Sequence, residues 1–361
     1  MAASALHLKH PLPVQIDFGA GLHEQVEPPQ EFVVLADPSA VTQDMRLRWL
    51  QRWGERCLGW VWQDHRMSSL DAAQSLARQI WPSLAGPSQK ALWVIGGGTT
   101  LDLGKMLRWV MPAIDEAAQA WRDNQIVQGA TRHTLWCSPT TSGTGSEVTP
   151  WATVWDLQAS PACKRSWFTP DGYPDRALVD SQLSLSCPPS VTRDCALDAL
   201  SHALESIWNR SASPMSRPLA QEAARLVLTH LPALLQRPDD AALRERLAYA
   251  SLLAGLAMAQ TQTALAHALS YDLTLRENVP HGMACAVWLP MVMDLAMARD
   301  AAVSQELQTL FALPSRQAVQ SLQSWLEDIG VRCRDLRASP AGSLILSEAL
   351  RSQRGRNFVG V

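Results

Sequence analysis

The stretch ALWVIGGGTTLDLGK, residues 91–105, decides how this chain is read. Ala91 to Ile95 is a short apolar run with the composition of a buried strand. It runs straight into Gly96-Gly97-Gly98, and LDLGKMLRWV after it has helical spacing. Without Cβ atoms, the backbone of such a turn can approach a phosphate. The first N–H groups of the helix then face that phosphate with the positive end of the dipole. A diphosphate site is one reading, and an ordinary tight strand-to-helix turn is the other. The GxxxxGK loop of nucleotide triphosphatases is excluded, because Thr99 stands where its first glycine would be and Met106 where its hydroxyl would be. GxGxxG does not occur there either.

Outward from this stretch, FVVLA (32–36), TLWC (134–137) and Ala177-Leu178-Val179 read as further buried strands with helical connections, the pattern of a parallel sheet. A second loop rich in glycine and hydroxyls, PTTSGTGSE (139–147), follows the TLWC strand. Two such loops at the carboxyl ends of parallel strands mark where an open α/β sheet binds its ligand. From about Thr192 the chain is rich in Ala and Leu with helical spacing, as in ALDALSHALESIW and RLAYASLLAGLAMA. The reading is an α/β half over residues 1–182 followed by an all-α half over 183–361, divided near Gln182.

Composition narrows the class of partner. With 31 basic and 34 acidic side chains the net charge is −3, which argues against a nucleic-acid module. Hydrophobic content of 47% excludes disorder, while no apolar run reaches the roughly 18 residues that cross a bilayer. A soluble protein with no membrane role is expected. The seven cysteines form no CxxC pair, and MAASALHLKH lacks the apolar segment of a secretory signal. A reducing cytoplasm fits both, with the cysteines expected to be small buried hydrophobes. The 15 Trp outnumber 5 Phe and 3 Tyr, and composition does not say whether the indoles fill cores or line a pocket.

Asp198 and His202 are four residues apart in a helical stretch, so both project from one face. His267 and His281 lie further along, His281 after the helix-breaking Val279-Pro280 and before Gly282. Three imidazoles and one carboxylate would suit Zn²⁺ or Fe²⁺ rather than Mg²⁺ or Ca²⁺, although a surface Asp/His pair is the plainer reading of the spacing alone.

At this point the chain resembles the iron-containing (group III) alcohol dehydrogenases of the dehydroquinate synthase-like superfamily. GGGTTLDLGK at 96–105, PTTSGTGSEVTP at 139–150, ALVD at 177–180, DALSHALE at 198–205 and the His267/His281 pair ending in PHG carry the resemblance. It implies a Rossmann-like N-terminal domain binding NAD(P), a helical C-terminal domain holding a divalent metal, and a substrate cleft between them. Matched position by position, the implied metal ligands are Asp198, His202, His267 and His281. The implied dinucleotide contacts are Gly97, Gly98, Thr99, Asp102, Thr140, Thr141 and Thr144, with Lys164 toward the nicotinamide. The implied activity is hydride transfer between NAD(P)H and an aldehyde, with Fe²⁺ or Zn²⁺ as Lewis acid. A homodimer or higher homo-oligomer is expected.

Asp37 ends the first strand and either accepts hydrogen bonds from the adenosine ribose, favouring NAD(H) over NADP(H), or caps a helix. Many family members have a histidine four residues after the one matching His267; here Tyr271 stands there, a poorer proton relay. Trp151, Met258 and Tyr271 would make a narrow pocket for a short substrate, with core packing as the alternative for Trp151 and Trp155. PTTSGTGSEVTPWATVWD and HALSYDLTL also resemble a subgroup that reduces phosphonoacetaldehyde to 2-hydroxyethylphosphonate. Arg276, Lys164, Arg354 and Arg356 are candidates to meet an anionic tail. A simple short-chain aldehyde is the alternative substrate, and a dehydroquinate synthase-like cyclase or lyase the alternative chemistry.

Overall fold

The computed structural model describes residues 12–160 and 162–360. The chain divides into two compact units, Pro13–Thr141 with Ser146–Cys187, and Ser142–Gly145 with Pro188 onward. No helix among the described residues is long and apolar enough to cross a membrane.

The first unit contains strands β1 (Gln15–Gly19), β2 (Phe32–Ala36), β3 (Cys57–Trp62) and β4 (Ala91–Gly96). Two-residue β5 (Trp109–Val110) and β6 (Thr131–Arg132) follow, then β7 (Thr134–Pro139), β8 (Trp151–Asp156), β9 (Cys163–Phe168) and β10 (Arg176–Asp180). Six of them form one parallel sheet in the order β1-β10-β7-β4-β2-β3. Four of these strands are the apolar runs expected from sequence. Their residues alternate between two buried faces, as period-two geometry requires. Val33, Leu35, Leu92, Val94, Leu135 and Cys137 pack against helices α2 (Leu70–Leu84), α3 (Gly98–Leu107) and α4 (Ile114–Arg122). Phe32, Val34, Ala36, Ala91, Trp93 and Ile95 pack on the other face, which holds Trp49 and Trp53 of helix α1 (Gln43–Trp53). From β2 the chain moves outward to β3, and from β4 it moves the other way to β7. The loops leaving β2 and β4 therefore part at the carboxyl end of the sheet, where open α/β sheets take ligands.

Much of the indole excess is packing. Trp53 stacks near Trp49 and Trp93 with ring centroids 5.4 and 4.9 Å apart, and Trp93 also meets Trp136 edge-on. Against this cluster lies a Ser-His-Asp arrangement. His23 Nδ1 is 3.1 Å from Asp180 Oδ2, and its Nε2 is 2.9 Å from Ser138 Oγ. The Ser138 oxygen also accepts from Trp93 Nε1, and all three members are buried. A hydroxyl locked between an indole and an imidazole in the core has no space for a substrate. The network closes the sheet, and Asp180 additionally accepts from the Gly21 and His23 backbone N–H groups.

The antiparallel pair β8/β9 was not anticipated from sequence, because the run WATVWD is short and mixed. It carries Trp151 and Lys164.

The second unit is helical: α5 (Pro189–Ile207), α6 (Ser216–Gln236), α7 (Ala241–Thr261), α8 (Leu265–Arg276), α9 (His281–Ala286), α10 (Leu289–Arg299), α11 (Ala301–Phe311), α12 (Ser315–Asp328) and α13 (Pro340–Arg351). Buried alanines, including Ala199, Ala203, Ala220, Ala224, Ala250 and Ala254, share the core of α5, α6 and α7 with leucines. Ser142–Gly145 packs into this unit. Gly145 has φ +61°, and a Cβ there would overlap Gly255 of α7, so only glycine fits.

Candidate metal centre and nucleotide loop

Pro189 opens α5 at a position where its missing N–H costs nothing, and the helix then carries Asp198 and His202 one turn apart. His267 lies in the first turn of α8 and His281 begins α9. The three Nε2 atoms converge on one oxygen: Asp198 Oδ1 is 3.6 Å from His202, 3.5 Å from His267 and 3.8 Å from His281. Ligand bonds of about 2.1 Å around a tetrahedral ion put neighbouring donor atoms about 3.4 Å apart, so these spacings match donors around a single cation. Asp198 Oδ1 and His267 Nε2 are buried and have no hydrogen-bond partner among the described residues. A cation at their focus would satisfy both, and the donor set suits Fe²⁺ or Zn²⁺.

The carboxylate and the imidazoles shift one another. Burial works to raise the Asp198 carboxyl, but the facing imidazoles outweigh it and hold the group well below the usual carboxylate range. Burial pushes His202 down to about 4, so this imidazole is neutral and lone-pair-bearing at neutral pH. The imidazole of His281 is 32% exposed, against 5% or less for His202 and His267, so the centre is open on that side.

Two residues that bear on the site escaped the sequence reading. Glu205 is fully buried on α5, and its carboxylate accepts His267 Nδ1 at 2.7 Å. It also accepts the N–H groups of Ala264 and Ala266, each at 2.6 Å, and of His267 at 3.2 Å. It therefore accepts the first N–H groups of α8 and holds the imidazole by Nδ1, with Nε2 aimed at Asp198. Burial works to lower His267, but flanked by these carboxylates it is held above the usual imidazole range, and a bound metal would take the place of its Nε2 proton. The signal was present: 198, 202 and 205 are spaced i, i+4, i+7 on one helical face. The second residue is Cys285, one turn after His281 on α9. Asp198, His267, His281 and Cys285 offer donor atoms that all lie within 4.8 Å of one another.

Gly282 explains the PHG sequence. A Cβ there would run into the Asp194 carbonyl and come within 2.8 Å of Asp198 N. Only a residue without Cβ lets α9 approach α5 this closely, which is how His281 reaches Asp198.

In the other unit, β4 ends at Gly96 and Gly97 is the N-cap of α3, with no side chain capping the helix. The first N–H groups of α3 have no intrahelical acceptor, and Gly98 and Thr99 present them at the carboxyl edge of the sheet. Thr141 lies beside this turn, its Oγ1 3.3 Å from where a Gly97 Cβ would stand, and Thr140 N donates to Gly96 O. This uncapped turn fits a diphosphate. Asp102 braces it: its carboxylate accepts Ser146 Oγ at 2.6 Å and Thr153 N at 2.7 Å. Asp37 Oδ1 accepts Ser39 N and Oγ within a local turn, the following helix α1 being capped by Thr42, while Oδ2 has no partner among the described residues. Thr144 belongs to the helical unit and Thr140 and Thr141 to the α/β unit.

Comparison with known proteins accounts for both halves. Residues 89–181 match the family model described as iron-containing alcohol dehydrogenase, and residues 192–338 match the C-terminal model of the Fe-containing alcohol dehydrogenase family. The chain belongs to the iron-containing alcohol dehydrogenase family. Among curated members, a 1-propanol dehydrogenase of Salmonella typhimurium is 35% identical over 197 residues, covering 55% of this chain and 49% of that protein. A sulfoacetaldehyde reductase of Bilophila wadsworthia is 34% identical over 152 residues, 42% of this chain and 39% of that protein. The chain spans about half the length of the first of these relatives. The crystal structure of sulfoacetaldehyde reductase from Bifidobacterium kashiwanohense in complex with NAD⁺ superposes with a TM-score of 0.84 at 23% identity, covering 98% of this chain and 95% of that one. At that identity the likeness speaks for the fold.

The remaining family-matched positions separate by unit. Trp151 and Lys164 sit on the β8/β9 hairpin, where the Trp151 ring stacks on Phe168 and its carbonyl accepts Lys105 Nζ at 2.7 Å. Met258 is buried on α7, and Tyr271 lies one turn after His267 on α8. Arg354 holds its guanidinium 5.3 Å over the Tyr271 ring and pairs with no carboxylate among the described residues. By contrast Arg276 is 80% exposed beside Asp272, a solvated pair, and Arg356 bonds the Arg351 carbonyl.

Proposed function

We propose that this protein is a divalent-metal-dependent, NAD(H)-linked alcohol dehydrogenase that reduces a short anionic aldehyde, of which phosphonoacetaldehyde is the model, to the corresponding alcohol. The observation that carries the reading is the convergence of three histidine Nε2 atoms on Asp198 Oδ1. Asp198, His202, His267 and His281 would hold Fe²⁺ or Zn²⁺, which when bound acts as a Lewis acid toward the substrate oxygen. The NAD(H) would rest its diphosphate on Gly97, Gly98 and Thr99, with Thr140, Thr141 and Thr144 supplying hydroxyls, and would supply the hydride. Asp37 Oδ2 remains to accept a ribose hydroxyl and would repel a 2′-phosphate, which favours NAD(H).

The chain's own residues prepare the site. Glu205, bonded to Nδ1, would leave His267 Nε2 to the metal once its proton is displaced. A divalent ion held there would place its positive charge against a developing alkoxide. Burial lifts the Tyr271 phenol above its ordinary value, so it keeps its proton at neutral pH. Tyr271 therefore serves as a wall and hydrogen-bond donor rather than a proton shuttle. Arg354, half-buried over the ring of Tyr271 one turn from His267, would receive the anionic tail. The curated relative named for sulfoacetaldehyde supports an anionic substrate, and the one named for 1-propanol supports a neutral alcohol as the second reading.

An NADH-coupled assay decides between them, comparing kcat/KM for phosphonoacetaldehyde, sulfoacetaldehyde and propanal in wild type and Arg354→Met. A charge-assisted pair is worth about 1.5–3 kcal/mol, so the variant should lose about 10- to 150-fold on the anionic aldehydes. Propanal turnover should stay near its wild-type level. Equal efficiency on all three in the wild type would leave the neutral-alcohol reading in its place.

A further inference from the structure

All seven cysteines were expected to be packing residues, and Cys285 does not fit that expectation. Its sulfur lies 4.0 and 3.9 Å from His281 Nδ1 and Nε2 and belongs to the mutually close set with Asp198 and His267. The cause is helical spacing, because His281 and Cys285 are one turn apart on α9 and share a face. The side chain is fully buried, so the sulfur has no solvent to point into. Around a tetrahedral ion with a sulfur bond of about 2.3 Å and a nitrogen bond of about 2.1 Å, the two donors sit about 3.6 Å apart. The observed separation lies within a few tenths of an ångström of that value. The implied ligand set and the set completed by Cys285 share Asp198, His267 and His281.

We propose that Cys285 is a thiolate ligand of the metal centre, making it a carboxylate, imidazole and sulfur site whose preference moves from Fe²⁺ toward Zn²⁺. The inference rests on reading the Asp198 cluster as the metal centre. On binding, the thiol proton leaves to solvent and a sulfur–metal bond forms, with no change of oxidation state. A soft sulfur donor favours Zn²⁺, whereas a site with only oxygen and nitrogen donors discriminates less. His202 Nε2, 3.6 Å from Asp198 Oδ1, stands beside this set as a further donor.

The test uses the full chain, stripped of metal and loaded with Co²⁺ as a spectroscopic stand-in. Wild type should show the visible ligand-field bands of a low-symmetry cobalt site and, in the near ultraviolet, a thiolate-to-cobalt charge-transfer band. Cys285→Ser should keep the visible bands and lose the charge-transfer band, and Cys285→Ala serves as a second variant if the serine disturbs packing. In a competition with equimolar Fe²⁺ and Zn²⁺, the Zn:Fe ratio bound by the serine variant, measured by elemental analysis, should fall at least several-fold. Visible bands without the charge-transfer band in wild type would overturn the thiolate while sparing the metal centre. Absence of any cobalt bands would overturn both.

Discussion

Replacing Glu205 with Gln keeps the shape of the side chain and removes its charge, and the structure sets the cost. The carboxylate accepts four bonds, two on each oxygen: Ala264 N and His267 Nδ1 on Oε2, Ala266 N and His267 N on Oε1. An amide has only one acceptor oxygen. Whichever way it turns, its NH₂ faces two N–H donors, so two charge-assisted bonds are lost and a donor confronts donors. At about 1.5–3 kcal/mol for each such bond in a buried setting, the expected destabilisation is about 3–6 kcal/mol. His267 also loses the partner that holds its Nδ1, for which a loss of about 10- to 100-fold in metal affinity is the ordinary consequence. Urea denaturation of the metal-free protein and a chelator competition for Zn²⁺ measure the two effects separately. A Gln variant that unfolds at the wild-type midpoint and binds Zn²⁺ as tightly would refute the assignment of Glu205 as the residue that orients His267.

Other expectations follow from the same structure. Burial pushes the Glu147 carboxyl up to about 7, so the folded protein holds a proton that the unfolded chain releases near 4.5. Stability therefore falls as pH rises from about 4.5 to 7 and levels off beyond; Glu147→Gln should gain up to about 3 kcal/mol at pH 8 and nothing at pH 4, read from urea midpoints. Gly282→Ala forces α9 away from the Asp194 carbonyl, costing about 1–3 kcal/mol of overpacking and displacing His281; bound metal per chain should drop in a protein that still folds by circular dichroism. Saturating the wild type with Zn²⁺ at about one hundred times its Kd should stabilise it by about 2.7 kcal/mol, visible as a higher Tm, and Asp198→Ala should abolish that gain.

The parts of the fold that were legible in the sequence were those governed by local periodicity. FVVLA and ALWVI became β2 and β4 because continuous apolar runs bounded by turns suit strands buried on both faces. The Asp198/His202 pair was legible because helical spacing is fixed. Hidden features depend on what another element brings: the hairpin β8/β9 exists through its own pairing, and Ser142–Gly145 groups with the helices through Gly145 against Gly255, a contact between residues far apart in the chain. Glu205 and Cys285 stand between these cases. Each shares a helical face with a recognised residue, so spacing pointed to them, yet only the approach of α8 and α9 to α5 reveals what they face.

The clamp of His23, Ser138 and Asp180 has a consequence for the order of folding. Gly21 and Asp180, joined by a hydrogen bond, lie 159 residues apart in sequence, and among the described residues β1 pairs with β10 alone. During synthesis β1 thus waits at the ribosome without a neighbour until the last strand of its sheet emerges, while β2, β3 and β4 can already pair. Closure of this long loop should be a late event, and the edge strand should be the part of the sheet whose amides exchange first.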